Sequence, residues 1–198
     1  MAPNQDGKQQ HMESKNGNPP ESRNPDSFWG NIFRQPSNAE EDVITTLRKI
    51  PLFTDMTKSE LRDFQKIMHR RVFRENEPIF WEGEPGVGMY IVQDGSVGIY
   101  KITPDRGKEE MAVLQAGEFF GELALLDESP RSATCISREK STIIGLFRPD
   151  LFNLLEKKPR LGNKFLYKLA LVIGERLKAT NRELHLLRAK LEQSEIIV

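Results

Sequence analysis

Between Arg71 and Arg148 apolar and polar positions alternate with a period of two. Short β-branched and aromatic runs there (RVF, PIFW, MYIVQ, SVGIYKI, EMAVLQ, SATCISR and STIIGLF) are separated by turn residues, and each predicts a strand. Asp94-Gly95 is a two-residue hairpin signal between MYIVQ and SVGIYKI, and Pro104-Asp105-Arg106-Gly107 supplies a second turn. On either side of this block the period is helical. Ser37-Asn38-Ala39-Glu40 and Thr57-Lys58-Ser59-Glu60 are capping-box patterns, predicting helices over about 38–49 and 58–69. After Pro149 the helical period returns and persists to about Gln193, first in PDLFNLLEKK and then in a much longer amphipathic helix after Pro159. The expected fold class is α+β: a β jelly roll or barrel of about eight antiparallel strands, flanked by N-terminal helices and by a C-terminal short helix plus long helix.

Composition divides the chain further. Residues 1–27 are almost entirely Asn, Gln, Lys, Glu, Ser, Pro and Gly, too polar to offset chain entropy by burial, so disorder is expected there. Phe28, Trp29, Ile32 and Phe33 follow in SFWGNIF, where they fit one face of a short helix packed on the protein's own surface. The expected organisation is a tail over 1–36 with that apolar segment, a β-roll with flanking helices over 37–160, and a dimerisation or lid helix over 161–198. Lys plus Arg and Asp plus Glu both number 29, a balance that gives no general field for nucleic acid or anionic lipid. The single cysteine, Cys135, excludes an internal disulfide and fits a reducing compartment. MAPNQDGKQQ lacks the apolar core of a signal peptide, and no run approaches the roughly 20 apolar residues of a membrane span. A cytoplasmic location is expected.

The stretch GEFFGELALLDESPRSATC, residues 117–135, places a glutamate and an arginine inside an otherwise apolar segment. Gly121 opens ELALLDE, which reads as a short helical turn whose free backbone N–H groups favour an anion. Arg131 returns beside that turn after Pro130, and a guanidinium among backbone amides suits one phosphate held bidentately. Glu122 would repel a phosphate unless it accepts from another part of the ligand, as from a sugar hydroxyl. The plainer alternative is a structural Glu122–Arg131 ion pair closing a loop. Other chemistry is weaker. His11, His69 and His185 are scattered and suggest no metal site. Glu118 and Glu122 lack a defined acid–base partner. Gly83-Glu84-Pro85-Gly86-Val87-Gly88 has neither a following helix nor Gly-Lys-Ser/Thr, and reads as a tight strand connection. Cys135 reads as a small core residue. No catalytic residue, metal or cofactor is expected.

GELALLDESPRSAT closely resembles the phosphate-binding cassette of the cyclic nucleotide-binding domain family, and EGEPGVGMYIVQDGSVGIY is similar to that family's glycine-punctuated hairpin. The resemblance covers roughly Leu52 to Leu187. It implies that Glu122 accepts from the ribose 2′-hydroxyl, that Arg131 pairs with the exocyclic phosphate oxygens, and that the N–H groups of Ala124 and Ser132 cradle the same phosphate. Gly121, Leu123 and Ala133 complete the implied cassette, and the ligand is cAMP or cGMP. Ser132 stands where the family often carries threonine for guanine or alanine for adenine.

In the last helix Leu166, Ala170, Ile173, Leu177, Thr180, Leu184, Leu187 and Leu191 follow alternating spacings of four and three, the a/d seam of a parallel coiled-coil dimer. Phe165, Leu169 and Val172 are expected to pack on the barrel. GERLKATNREL is similar to the dimer helix of the bacterial catabolite activators. By that resemblance Thr180 meets the base in its own subunit and Asn181 reaches it from the partner, with asparagine standing where those activators carry serine. A polar break that sets the register of the seam is the other reading of Thr180. Gly174, inside the helix, signals either close packing or a bend. The chain ends seven residues after Leu191 with no room for a helix-turn-helix. The expectation is a stand-alone, bacterial-type cyclic nucleotide sensor, homodimeric, with cAMP favoured over cGMP, acting through an unknown protein effector without direct nucleic-acid contact. The alternative is a dimeric coiled-coil scaffold that keeps the fold and binds no nucleotide.

Overall fold

A computed structural model describes residues 38–103, 105 and 107–195, all within one compact unit, Gln35–Val198. Among the described residues two short helices come first, α1 (Asn38–Leu47) and α2 (Lys58–Gln65), joined through a single 3-10 turn, Pro51–Phe53. The Thr57 capping box forms as its sequence predicts: the Thr57 side chain accepts from the Glu60 N–H, and the Glu60 carboxylate accepts from the Thr57 N–H at 2.6 Å. The Ser37 box and the SFWGNIF segment lie outside the described residues.

The helix expected to reach residue 69 ends at Gln65, because Met68 to Phe73 form β1, which pairs with the last strand. The other strands are β2 (Pro78–Phe80), β3 (Gly88–Asp94), β4 (Ser96–Thr103), β5 (Gly107–Gln115), β6 (Phe119–Phe120), β7 (Thr134–Ser137) and β8 (Ser141–Phe147). They make two four-stranded antiparallel sheets, in the orders β1-β8-β3-β6 and β2-β7-β4-β5. β6 escapes the periodicity because two residues cannot display one.

β3 shows why a strand can be apolar without alternation. Met89, Tyr90, Ile91 and Val92 are all buried, since both faces of their sheet are covered. Met89 and Ile91 join a core with the helices, and Tyr90 and Val92 join the core between the sheets. β8 divides the same way, Ile144 and Leu146 toward the helices and Ile143 toward the other sheet.

After β8 the chain forms α3 (Arg148–Lys157) and then α4 (Pro159–Glu195), a single helix of 37 residues. The first turns of α4 anchor it. Phe165 is fully buried with its ring centroid 5.6 Å from Phe53 and 5.0 Å from Phe64, and Leu169 is buried beside it. Lys164 pairs with Glu60 at 2.9 Å, and Lys168 pairs with Asp55. Such partly exposed pairs contribute little next to the aromatic cluster. From Glu175 to Gln193 every residue of α4 is exposed, the seam leucines Leu177, Leu184, Leu187 and Leu191 among them. Among the described residues no helix is long and apolar enough to cross a membrane.

Candidate binding site

The 117–135 stretch folds against β3, Phe119 and Phe120 pairing with Ile91 and Tyr90 and Arg131 reaching the Gly88 carbonyl at the strand's start. Gly121 adopts φ 71°, a left-handed conformation that glycine takes at little cost, and turns the chain from β6 into a 3-10 helix, Glu122–Leu125. The β2–β3 loop lies against this turn so closely that a Cβ at Gly86 would stand 2.8 Å from that of Ala124. The returning segment is pinned to the same loop: Arg131 N–H donates to the Glu84 carbonyl at 2.8 Å, and Gly83 N–H donates to the Arg131 carbonyl at 2.9 Å. A cavity of about 300 Å³, at the lower end of ligand-site volumes, opens between turn and strand. Gly121, Glu122, Leu123, Ala124, Arg131, Ser132 and Ala133, the expected cassette residues, all line it. Phe80, Ile99, Asp127, Ser129, Pro130 and Cys135 complete the wall.

Arg131 is 7% exposed. Its Nη2 donates to the Gly88 carbonyl at 2.9 Å and its Nη1 to the Gly121 carbonyl at 3.3 Å, while its buried Nε has no partner. No carboxylate lies within ion-pair distance of it among the described residues, and its face rests on the rings of Phe80 and Tyr90. Burial pushes its pKa below the usual arginine value, opposed by the nearby Tyr90, yet a guanidinium stays charged in proteins. Of five N–H donors two are committed to carbonyls and the Tyr90 hydroxyl is a further partner, which leaves a buried cation with donors to spare beside a cavity. That arrangement suits an anion.

Glu122 does not pair with Arg131, so the loop-closing ion pair is not formed. Glu122 is 6% exposed and its Oε1 lies 2.8 Å from Nη1 of Arg176, on α4. Arg176 also donates to the Phe119 carbonyl at 3.0 Å and stacks on the Phe119 ring at 4.5 Å. The cassette is thereby tied to the long helix by a residue that the seam pattern passes over, because Arg176 lies beside the a/d positions.

Two of the expected contacts are not made in this arrangement of the chain. The Ala124 N–H donates to the Gly121 carbonyl at 3.2 Å, since a four-residue 3-10 turn uses it internally, so it is not free to cradle an anion in this arrangement. Thr180 and Asn181 do not line the cavity: both are exposed one turn beyond Arg176, where the Thr180 hydroxyl donates to the Arg176 carbonyl at 3.1 Å.

Cys135 faces the cavity from β7, and burial raises its thiol pKa to about 12. Thiolate is the reactive form, so Cys135 is expected to resist alkylation by iodoacetamide at pH 8 in the folded protein and to react once the chain is unfolded in urea. Labelling at the same rate in both states would contradict this.

Comparisons with known proteins agree with the geometry. Residues 70–158 match the family described as "Cyclic nucleotide-binding domain". The chain is 32% identical over 137 residues to a cyclic AMP receptor protein of Thermus thermophilus, a match covering 69% of this chain and 62% of that one. It therefore spans less than two thirds of that relative's length. A solved cyclic nucleotide-binding domain from Methylobacillus flagellatus superposes with a TM-score of 0.65 at 29% identity, covering 74% of this chain and 82% of that one. The regulatory domain of Toxoplasma gondii PKA, solved with cAMP, gives a TM-score of 0.56 at 26% identity, covering 62% of this chain and 47% of that one. The cassette lies wholly inside the matched residues, on a roll of two antiparallel sheets. Residues 70–158 thus match the cyclic nucleotide-binding domain family in sequence, and the two-sheet roll they form is that of its solved members.

Proposed function

We propose that the protein is a cyclic nucleotide sensor, taking cAMP in preference to cGMP, with no catalysis of its own and an output passed to another protein. The observation that carries this reading is Arg131, a buried guanidinium without an ionic partner among the described residues, with an orphan Nε, at the wall of a cavity of about 300 Å³. A cyclic phosphate supplies the missing charge, and Arg131 can hold two of its oxygens at once. Glu122 accepts from the ribose 2′-hydroxyl with the carboxylate capacity that Arg176 does not use. Gly121, Leu123, Ser132 and Ala133 shape the walls, and rearrangement of the turn frees the Ala124 N–H.

The signal passes through α4. Beyond Ile173, which packs on the domain's own core, its seam is exposed, as a helix awaiting a second copy would leave it. With Thr180 at a d position, Glu183 falls at g and Arg188 at e, so in a parallel pair each Glu183 faces the partner subunit's Arg188. Gly174 supplies a bend point: a Cβ there would meet nothing within 4 Å, so close packing does not require the glycine. Reseating of the helix beyond Gly174 brings Thr180, with the partner subunit's Asn181, to the base. A ligand that touches both cassette and helix shifts the helix only by its differential affinity for the two arrangements.

Hydrogen exchange with saturating cAMP is expected to slow in the cassette and in residues 174–188. Protection confined to the cassette would refute the relay. In competition, cGMP winning by more than about tenfold, 1.4 kcal/mol, would reverse the ligand preference, and a monomer under sedimentation at micromolar concentration would refute the seam.

A further inference from the structure

The guanidinium of Arg131 is held by its surroundings on two sides. Its edge meets the carbonyls of Gly88 and Gly121, and its face meets two aromatic rings: Cζ lies 4.2 Å from the centroid of Phe80 and 5.5 Å from that of Tyr90. The rings come from different sheets, Phe80 from the end of β2 and Tyr90 from the middle of β3, with centroids 5.6 Å apart. Both are locked. Tyr90 stacks on Phe120 at 5.5 Å with an interplanar angle of 25° and meets the edge of Phe147, while Phe80 lies 5.8 Å from Phe120. Arg131 thus sits across the join between the two sheets, on a floor of rings that cannot easily move.

A buried cation without a carboxylate partner is unfavourable unless something offsets its lost hydration. Two carbonyls do so in part. The negative faces of the rings are the remaining source, and cation–π attraction is strongest where water is excluded. We infer that Phe80 and Tyr90 are positioning residues for the anion site: they keep the Arg131 guanidinium flat, buried and turned with its free N–H groups toward the cavity before the ligand arrives. This rests on the reading of the cavity as a cyclic nucleotide site and adds what determines its affinity. Without the ring faces the long arginine side chain gains by rotating outward to water, and the apparent dissociation constant rises in proportion as the competent arrangement empties. Tyr90 lies behind the cavity wall and acts through Arg131 alone, whereas Phe80 also forms part of that wall.

The test replaces Phe80 site-specifically with mono-, di- and trifluorinated phenylalanine in the full chain and titrates each protein with cAMP, with thermal unfolding followed in parallel. Each fluorine drains the negative face of the ring while scarcely changing its size. Affinity is expected to fall stepwise along the series, reaching roughly tenfold, or 1.4 kcal/mol, at the trifluorinated ring, and Phe80→Leu should lose at least as much. Equal affinities along the series, with cAMP still bound by the unsubstituted protein, would overturn the positioning role and leave the nucleotide reading intact. Failure of the unsubstituted protein to bind cAMP or cGMP would overturn both.

Discussion

Arg131→Ala is expected to weaken cyclic nucleotide binding by at least about a hundredfold while the protein stays folded. Among the described residues the guanidinium is the only cation lining the cavity, and charge-assisted bonds of the kind it can make to a phosphate contribute roughly 1.5–3 kcal/mol each. Its removal would leave a bound phosphate desolvated and unpaired, and breaking one half of a buried charge pair costs about 3–5 kcal/mol. Folding should suffer less. In the free protein the same residue is a buried charge with no ionic partner among the described residues, so alanine forfeits two bonds to the carbonyls of Gly88 and Gly121 and removes a desolvation cost in exchange. Glu122→Ala should weaken binding less, because it loses an acceptor for one hydroxyl; it also releases Arg176 and so loosens the tie between cassette and α4. Titration of both variants, with circular dichroism as the check on folding, distinguishes these outcomes. An Arg131→Ala protein with unchanged affinity would remove the phosphate assignment.

The second large effect concerns the anchor of the helix. Phe165→Ala is expected to cost about 3–5 kcal/mol, because the ring is fully buried between Phe53 and Phe64 and its loss leaves a cavity that a rigid aromatic cluster cannot close. At roughly 2–4 °C per kcal/mol for a domain of this size, the melting temperature should fall by about 10 °C. The neighbouring ion pairs of Lys164 and Lys168 cannot compensate, since partly exposed pairs contribute about 1 kcal/mol at most. A loss below about 1 kcal/mol in thermal and urea unfolding would mean that α4 is not held to the domain by this cluster, and the proposed relay would lose its fixed end.

The roll was legible wherever a strand carried its own pattern. β3, β4 and β8 are long, apolar and punctuated by turn residues, and they form where those apolar runs predict them. Thr57 with Glu60 announced a helix start because a capping box is local in the chain. The start of β1 was not legible: Met68-His69-Arg70-Arg71 suits an edge strand only once β8 is known to lie beside it. The cassette shows the same division. Gly121, Glu122 and Arg131 stand close together in sequence, and their spacing carries the resemblance. Arg176 and the ring floor of Phe80 and Tyr90 do not, since they reach the cavity edge through the path of α4 and the packing of two sheets. No local spacing encodes either. Thr180 and Asn181 are placed at the base by a motif on the helix alone; in the structure both are exposed outside the cavity, with the Thr180 hydroxyl bonded to the Arg176 carbonyl.

The central claim is that the cavity beside Arg131 takes a cyclic nucleotide, and calorimetric titration of the purified chain with cAMP tests it most directly. The account predicts saturable binding of one nucleotide per chain at the cassette, abolished by Arg131→Ala and undiminished by the same concentration of adenosine, which lacks the phosphate. Absence of saturable heat with both cAMP and cGMP, from a protein shown by circular dichroism and thermal unfolding to be folded, would contradict it.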